Sequence, residues 1–149
     1  MSIRRLFLLL IVVVFLLDQV AKTLVFSTIS AEESLPVIKG ALYFSIVKNT
    51  GSAFGLKVPA AVPVLISFAA LAAIIKSRNA FLKKLETAIP LALLSGGILG
   101  NLMDRLLFGY VRDFIDFRIW PAFNVADSAL IIALLWLIIN SLKKKIKNY

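Results

Sequence analysis

Cysteine and histidine are both missing from this 149-residue chain. Without cysteine there is no disulfide, no thiolate nucleophile and no sulfur metal site. Without histidine, Ser-His-Asp and Cys-His catalysis fall away, as do the usual zinc sites. Proton transfer is left to Asp, Glu, Lys, Tyr or water. Acids are scarce as well: eight Asp and Glu stand against 17 Lys and Arg, a net charge of +9. Apolar residues are abundant. They make up 60% of the chain, where soluble domains have roughly half. The length suits one domain, and repeated apolar runs make a polytopic membrane protein the expected class.

Four segments read as membrane helices: 6–26, 58–75, 88–108 and 125–142. Each has about the 20 residues needed to cross the hydrocarbon core. Arg4 and Arg5 before an apolar run also resemble a secretory signal peptide. Three further spans, and no small-x-small site after the run, favour a retained anchor. Pro59 suits a first helical turn, and Pro63 is expected to bend or loosen the start of the second span.

The charges sort by side. Arg4, Arg5, Lys76, Arg78, Lys83, Lys84, Lys143, Lys144, Lys145 and Lys147 lie at the N-terminus, the 76–87 segment and the C-terminus. With four spans these share one side, and only Glu86 opposes them there. The remaining seven basic and seven acidic residues cancel, so the whole excess of +9 lies on one face. The positive-inside rule makes that face cytoplasmic. Segments 27–57 and 109–124 are then extracytoplasmic. The basic patches read as topology determinants and contacts to anionic lipid, not as a nucleic-acid surface.

Residues 41–47, ALYFSIV, lie between Gly40 and Asn49-Thr50-Gly51. This reads as a strand and turn, part of a small sheet over the membrane surface. Leu42, Phe44 and Ile46 share one face. In GYVRDFIDFRIW (109–120) the pattern alternates from Asp113 to Ile119. Asp113 shares a face with Ile115, Phe117 and Ile119. Asp116 shares the other with Phe114 and Arg118, and a surface ion pair with Arg118 accounts for it. Asp113 among apolar neighbours is either a functional acid raised by desolvation or a turn-ending acid in contact with water.

A charge inside a span costs roughly 2.5–3.5 kcal/mol on insertion scales. Asp18 and Lys22 lie four apart on one helical face and read as a self-neutralising pair between helices. In GGILGNLMDR (96–105), Gly97, Asn101 and Arg105 line one face and Asp104 sits beside it. Gly96 and Gly100 form a small-xxx-small packing pair. Asn101 and Arg105, one turn apart, could grip a peptide backbone or a lipid carbonyl. In FNVADS (123–128), Asn124 is a good N-cap and Asp127 completes a variant capping box. Asp127 also enters from the outer side, where Asp113 and the Asn101–Arg105 face converge. Two carboxyls meeting there would share one proton. One would act as base on water while the other polarises a carbonyl, which is aspartic-protease logic.

DQVAK (18–22), KNTGSAFG (48–55), GNLMDR (100–105), VRDFIDF (111–117) and FNVADS (123–128) together resemble lipoprotein signal peptidase, the type II signal peptidase of bacteria. The motifs run in the family's order along essentially the whole chain. The resemblance implies an aspartic protease of the bacterial cytoplasmic membrane that cuts prolipoproteins before the diacylglyceryl-modified cysteine. It places the catalytic pair on Asp113 and Asp127. Its other motif residues fall on Asp18, Lys22, Asn49, Gly51, Gly97, Asn101, Asp104, Arg105 and Asn124. It also implies a β-cradle and inhibition by globomycin. One departure is Arg112, where the family is commonly apolar. Alternation would turn Arg112 away from Asp113, toward water or headgroups.

The expectation is therefore an all-α polytopic membrane protein, four transmembrane helices with a small extracytoplasmic β-sheet in one domain over 1–149. It acts as a monomer on lipidated precursors in membrane lipid, with no metal or cofactor and both termini cytoplasmic. Three other readings compete. Ser52 with Lys48 could form a serine–lysine pair, though the segment reads as strand and turn. Asp18, Lys22 and Asp104 could relay protons or ions in a transporter. The acids could also merely cap and pair in an assembly subunit.

Overall fold

The structure, a computed structural model, describes residues 1–51 and 58–147. Its elements in order are α1 (Ile3–Thr28), β1 (Ser34–Ile38), β2 (Leu42–Asn49), α2 (Ala61–Phe81), α3 (Leu85–Phe108), β3 (Val111–Asp116) and α4 (Val125–Lys147). The four helices are long and apolar enough to cross a membrane. The three strands form one antiparallel sheet, β1-β2-β3, at the end of the bundle where α1 ends and α4 begins.

Small residues decide which helix is central. On α3, Ala88, Ala92, Ser95, Gly96, Gly97 and Gly100 are buried. A Cβ at Gly96 would lie 2.8 Å from Val14 Cβ, and one at Gly97 would lie 2.7 Å from the Ala126 carbonyl. Such close approach of backbones is how helices associate where lipid removes the hydrophobic drive. Leu8, Leu16, Leu17, Leu65, Leu106 and Leu135 point outward instead. Pro90 lies inside α3 and cannot donate to the Glu86 carbonyl four residues back. Asn140 of α4 supplies that missing donor, its Nδ2 lying 2.7 Å from the Glu86 oxygen.

The second span starts later than the sequence pattern indicates, at Ala61. Pro59 precedes the helix, and its carbonyl accepts the Val62 N–H at 2.9 Å. Pro63 sits in the first turn, where a missing N–H costs nothing, so it neither breaks nor delays the helix.

β2 starts one residue after the expected strand, at Leu42, and runs on through Asn49, which the sequence pattern assigns to the turn. β1, not anticipated, is an exposed edge carrying Pro36, a residue that discourages further pairing. β3 stops at Asp116, short of the alternation read to Ile119. Asp116 Oδ1 accepts the Arg118 N–H at 2.8 Å, and Arg118 takes a left-handed φ of 64°. That turn ends the strand and leaves Ile119 exposed. The Arg118–Asp116 ion pair forms as expected, at 3.5 Å, through the turn.

Candidate active site

The other edge of β3 is closed by Phe123. The Phe114 and Ile115 N–H groups donate to its carbonyl at 3.0 and 2.8 Å, and the Phe123 N–H returns a bond to Ile115. This bridge carries Asn124, the next residue, alongside Asp113. Asn124 Nδ2 lies 2.6 Å from Asp113 Oδ1. Asn124 also caps α4, its Oδ1 accepting the Asp127 N–H at 2.8 Å, while Asp127 Oδ2 accepts the Asn124 N–H at 3.3 Å. The expected capping box is thus present, and it holds Asp127 in the first turn.

Asn101 of α3 joins the two acids from below. Its Nδ2 donates to Asp127 Oδ1 at 2.8 Å, and its Oδ1 accepts from Asn124 Nδ2 at 3.2 Å. From β2, Asn49 Nδ2 donates to Asp113 Oδ2 at 2.9 Å. Asn49 is aimed by a tight turn: its Oδ1 accepts the Gly51 N–H at 2.9 Å, and Gly51 has a φ of 86°. Asp113 and Asp127 are therefore linked through the amides of Asn124 and Asn101, while Asn49 holds Asp113 from β2.

Asp113 is 1% exposed, whereas Asp127 is half-buried. Burial pushes the Asp113 carboxyl up to about 6, and the charge of Asp127 pushes the same way. Hydrogen bonds from Asn49 and Asn124, and the Lys22 charge, pull it back. Arg105 lies near Asp127, Asp113 and Asp104 electrostatically. It lines a cavity of about 220 Å³ with Asn49, Ala61, Pro63 and Tyr110. A guanidinium, two carboxyls and an opening between the start of α2 and the end of α3 can hold and cleave a polar bond. Among the described residues no three acidic side chains gather as a metal site would need.

Beside the site lies a buried charge cluster. Lys22 Nζ is 2.7 Å from Asp18 and 3.1 Å from Asp104, and it donates to Asn101 Oδ1 at 3.0 Å. Asp18 Oδ1 accepts the Ala126 N–H at 2.8 Å, tying α1 to the start of α4. Gly100 makes room, since a Cβ there would lie 2.6 Å from Asp18 Oδ2. Asp18 and Lys22 are thus the interhelical pair expected, locked rather than poised as a relay. Gly97 supports the site only by letting α4 approach α3. Ser52 of the serine–lysine reading lies outside the described residues.

Arg112 corrects the sequence reading. It faces neither water nor headgroups but is 7% exposed. Its Nε and Nη2 lie 3.1 and 2.9 Å from Asp104 Oδ1. Phe114, on the same face, is buried too. The alternation was legible, but β3 is covered on both faces at its start, so neither face there is wet. Gln19 was also missed. It bonds Asp18, Asp104 and Arg112, and a polar residue inside a span beside Asp18 was its only signal.

The family model for signal peptidase (SPase) II matches residues 10–143. The chain belongs to that family. Relatives agree. Lipoprotein signal peptidase of Halothermothrix orenii is 42% identical over 136 residues, covering 87% of this chain and 90% of its own. That of Moorella thermoacetica is 44% identical over 130 residues, covering 84% and 85%. The fold matches a solved bacterial membrane enzyme with a TM-score of 0.84 at 34% identity, over 93% of this chain and 88% of that one. As a member of the signal peptidase II family, the chain is a multi-pass membrane protein and a peptide hydrolase.

Proposed function

We propose that the chain removes signal peptides from bacterial prolipoproteins, with Asp113 and Asp127 as a catalytic pair sharing one proton. The observation carrying this is the amide-linked pair itself, one member buried and raised to about 6, the other half-buried in the first turn of α4. Asp113 keeps the shared proton and hydrogen-bonds the scissile carbonyl oxygen. Asp127 takes a proton from water as the water oxygen attacks the carbonyl carbon. The tetrahedral intermediate then collapses, and the proton held by Asp127 passes to the leaving nitrogen. Arg105 steadies the oxyanion or a neighbouring carbonyl from the cavity wall.

The substrate is a diacylglyceryl-modified precursor, cut just before its lipidated cysteine. It reaches the site within the membrane, because the surrounding helix faces are apolar and exposed. Ten basic residues at the far end of the bundle make that end cytoplasmic, with both termini. The pair then lies at the outer face of the bacterial cytoplasmic membrane. A monomer suffices, since one chain supplies every group named. Cleavage of a lipidated precursor in detergent tests this. Asp113→Asn and Asp127→Asn should be inactive, with Asp116→Asn and Ser52→Ala close to wild type. Loss on Ser52→Ala with retention in Asp127→Asn would move the chemistry to the serine–lysine pair.

A further inference from the structure

Arg112 makes four side-chain hydrogen bonds inside the bundle. Besides the fork on Asp104 Oδ1, its backbone N–H donates to Asp104 Oδ2 at 2.9 Å. Nη2 donates to Gln19 Oε1 at 2.9 Å and Nη1 to Thr23 Oγ1 at 3.4 Å. The guanidinium carbon lies 4.6 Å from the Phe108 ring centroid and 6.0 Å from that of Phe26. One side chain thus joins α1, the last turns of α3 and the first residues of β3. Asp113 follows it directly, and strand alternation sends the Asp113 carboxyl to the opposite face, where Asn49 and Asn124 hold it.

The charges point the same way. Asp18, Lys22 and Asp104 are 0% exposed and Arg112 is 7% exposed, two of each sign. A neutral residue at 112 would leave one buried carboxylate uncompensated. Lys22, which also donates to Asn101, would then be drawn toward Asp104. Asn101 in turn holds Asp127.

We infer that Arg112 is a positioning residue: it clamps the start of β3 to α1 and α3 and thereby fixes the aim of Asp113 relative to Asp127. Arg suits this because its rigid fork grips one carboxylate while its plane stacks on an aromatic ring. The inference rests on the dyad reading above.

Cleavage kinetics over pH test it in the full-length protein, with Asp113→Asn and Asp127→Asn alongside. Arg112→Met should lower kcat about 100-fold, the usual consequence of misplacing a reacting group by an ångström, with KM within about twofold. The groups facing Asp113 are Asp127 from α4, Lys22 from α1 and Arg105 from α3. With a positive charge lost nearby, the basic limb of kcat/KM should move to higher pH. Arg112→Lys keeps the charge but not the fork. Its limb should stay in place and its kcat should fall about tenfold. The double variant Arg112→Met/Asp104→Asn restores charge balance, so its limb should return while kcat stays low. A wild-type kcat in Arg112→Met, or an unmoved limb, overturns the inference. If Arg112→Met does not fold, the two charge-balanced variants decide, and wild-type kcat in the double variant overturns it. Active Asp113→Asn or Asp127→Asn would instead sink the dyad reading.

Discussion

Replacing Asp113 by Asn should cost the enzyme its activity yet stabilise it at neutral pH. Asp113 is 1% exposed, and burial is the largest influence on its carboxyl, raising it from 3.8 to about 6. A carboxyl raised on folding binds its proton more tightly in the folded state. Stability is therefore undiminished below about pH 4. It falls as pH rises from 3.8 to about 6 and stays lower above that. At about 1.4 kcal/mol per unit, the loss approaches 3 kcal/mol. Asn carries no such cost, but its NH2 faces the donor of Asn49 or Asn124 and leaves one unpaired. That penalty is about 2 kcal/mol. The variant should thus be about 1 kcal/mol more stable than wild type at pH 8 and about 2 kcal/mol less stable at pH 4. Thermal unfolding in one detergent across that range measures the swing, at about 2–4 °C per kcal/mol for a chain this size. A stability difference that stays flat with pH would refute the burial argument.

Asn49→Ala removes a donor that favours ionised Asp113, so the basic limb of the pH–rate profile should move upward and kcat should drop several-fold, read by precursor cleavage over pH. Gly100→Ala puts a methyl 2.6 Å from Asp18 Oδ2, in the cluster that ties α1 to α4. It should destabilise by about 1–3 kcal/mol in thermal unfolding, with the pH profile of the remaining activity unchanged.

Much of this architecture could be read from the residues because the bilayer allows few solutions. Long apolar runs indicate four helices, and the small residues of GGILG indicate close packing, although that α3 is the helix the others surround is seen only in the fold. Asp113 stood out by its apolar neighbours; capping chemistry marked Asn124 and Asp127 as a helix start, and only the family motif marked Asp127 as the second acid of the proposed pair. What the pattern could not give was contact between distant segments. Nothing local says that Phe123 closes the edge of β3, although this bridge brings Asn124 to Asp113. Arg112 misled because alternation separates two faces without telling which is wet. The end of β3 was missed because Asp116 folds back on the Arg118 N–H, a side-chain bond that breaks the period. Gln19 was overlooked beside charged neighbours, yet it joins three members of the cluster.

The central claim is that Asp113 and Asp127 hold one proton jointly, and carboxyl-carbon NMR of aspartate-labelled protein in detergent addresses it most directly. Asp→Asn variants assign the signals of Asp18, Asp104, Asp113, Asp116 and Asp127. Coupled acids titrate as a pair, so the Asp113 and Asp127 signals should each move in both of two steps, and each should collapse to one step when its partner becomes Asn. Two independent single-step curves, unchanged by loss of the partner, would contradict the account.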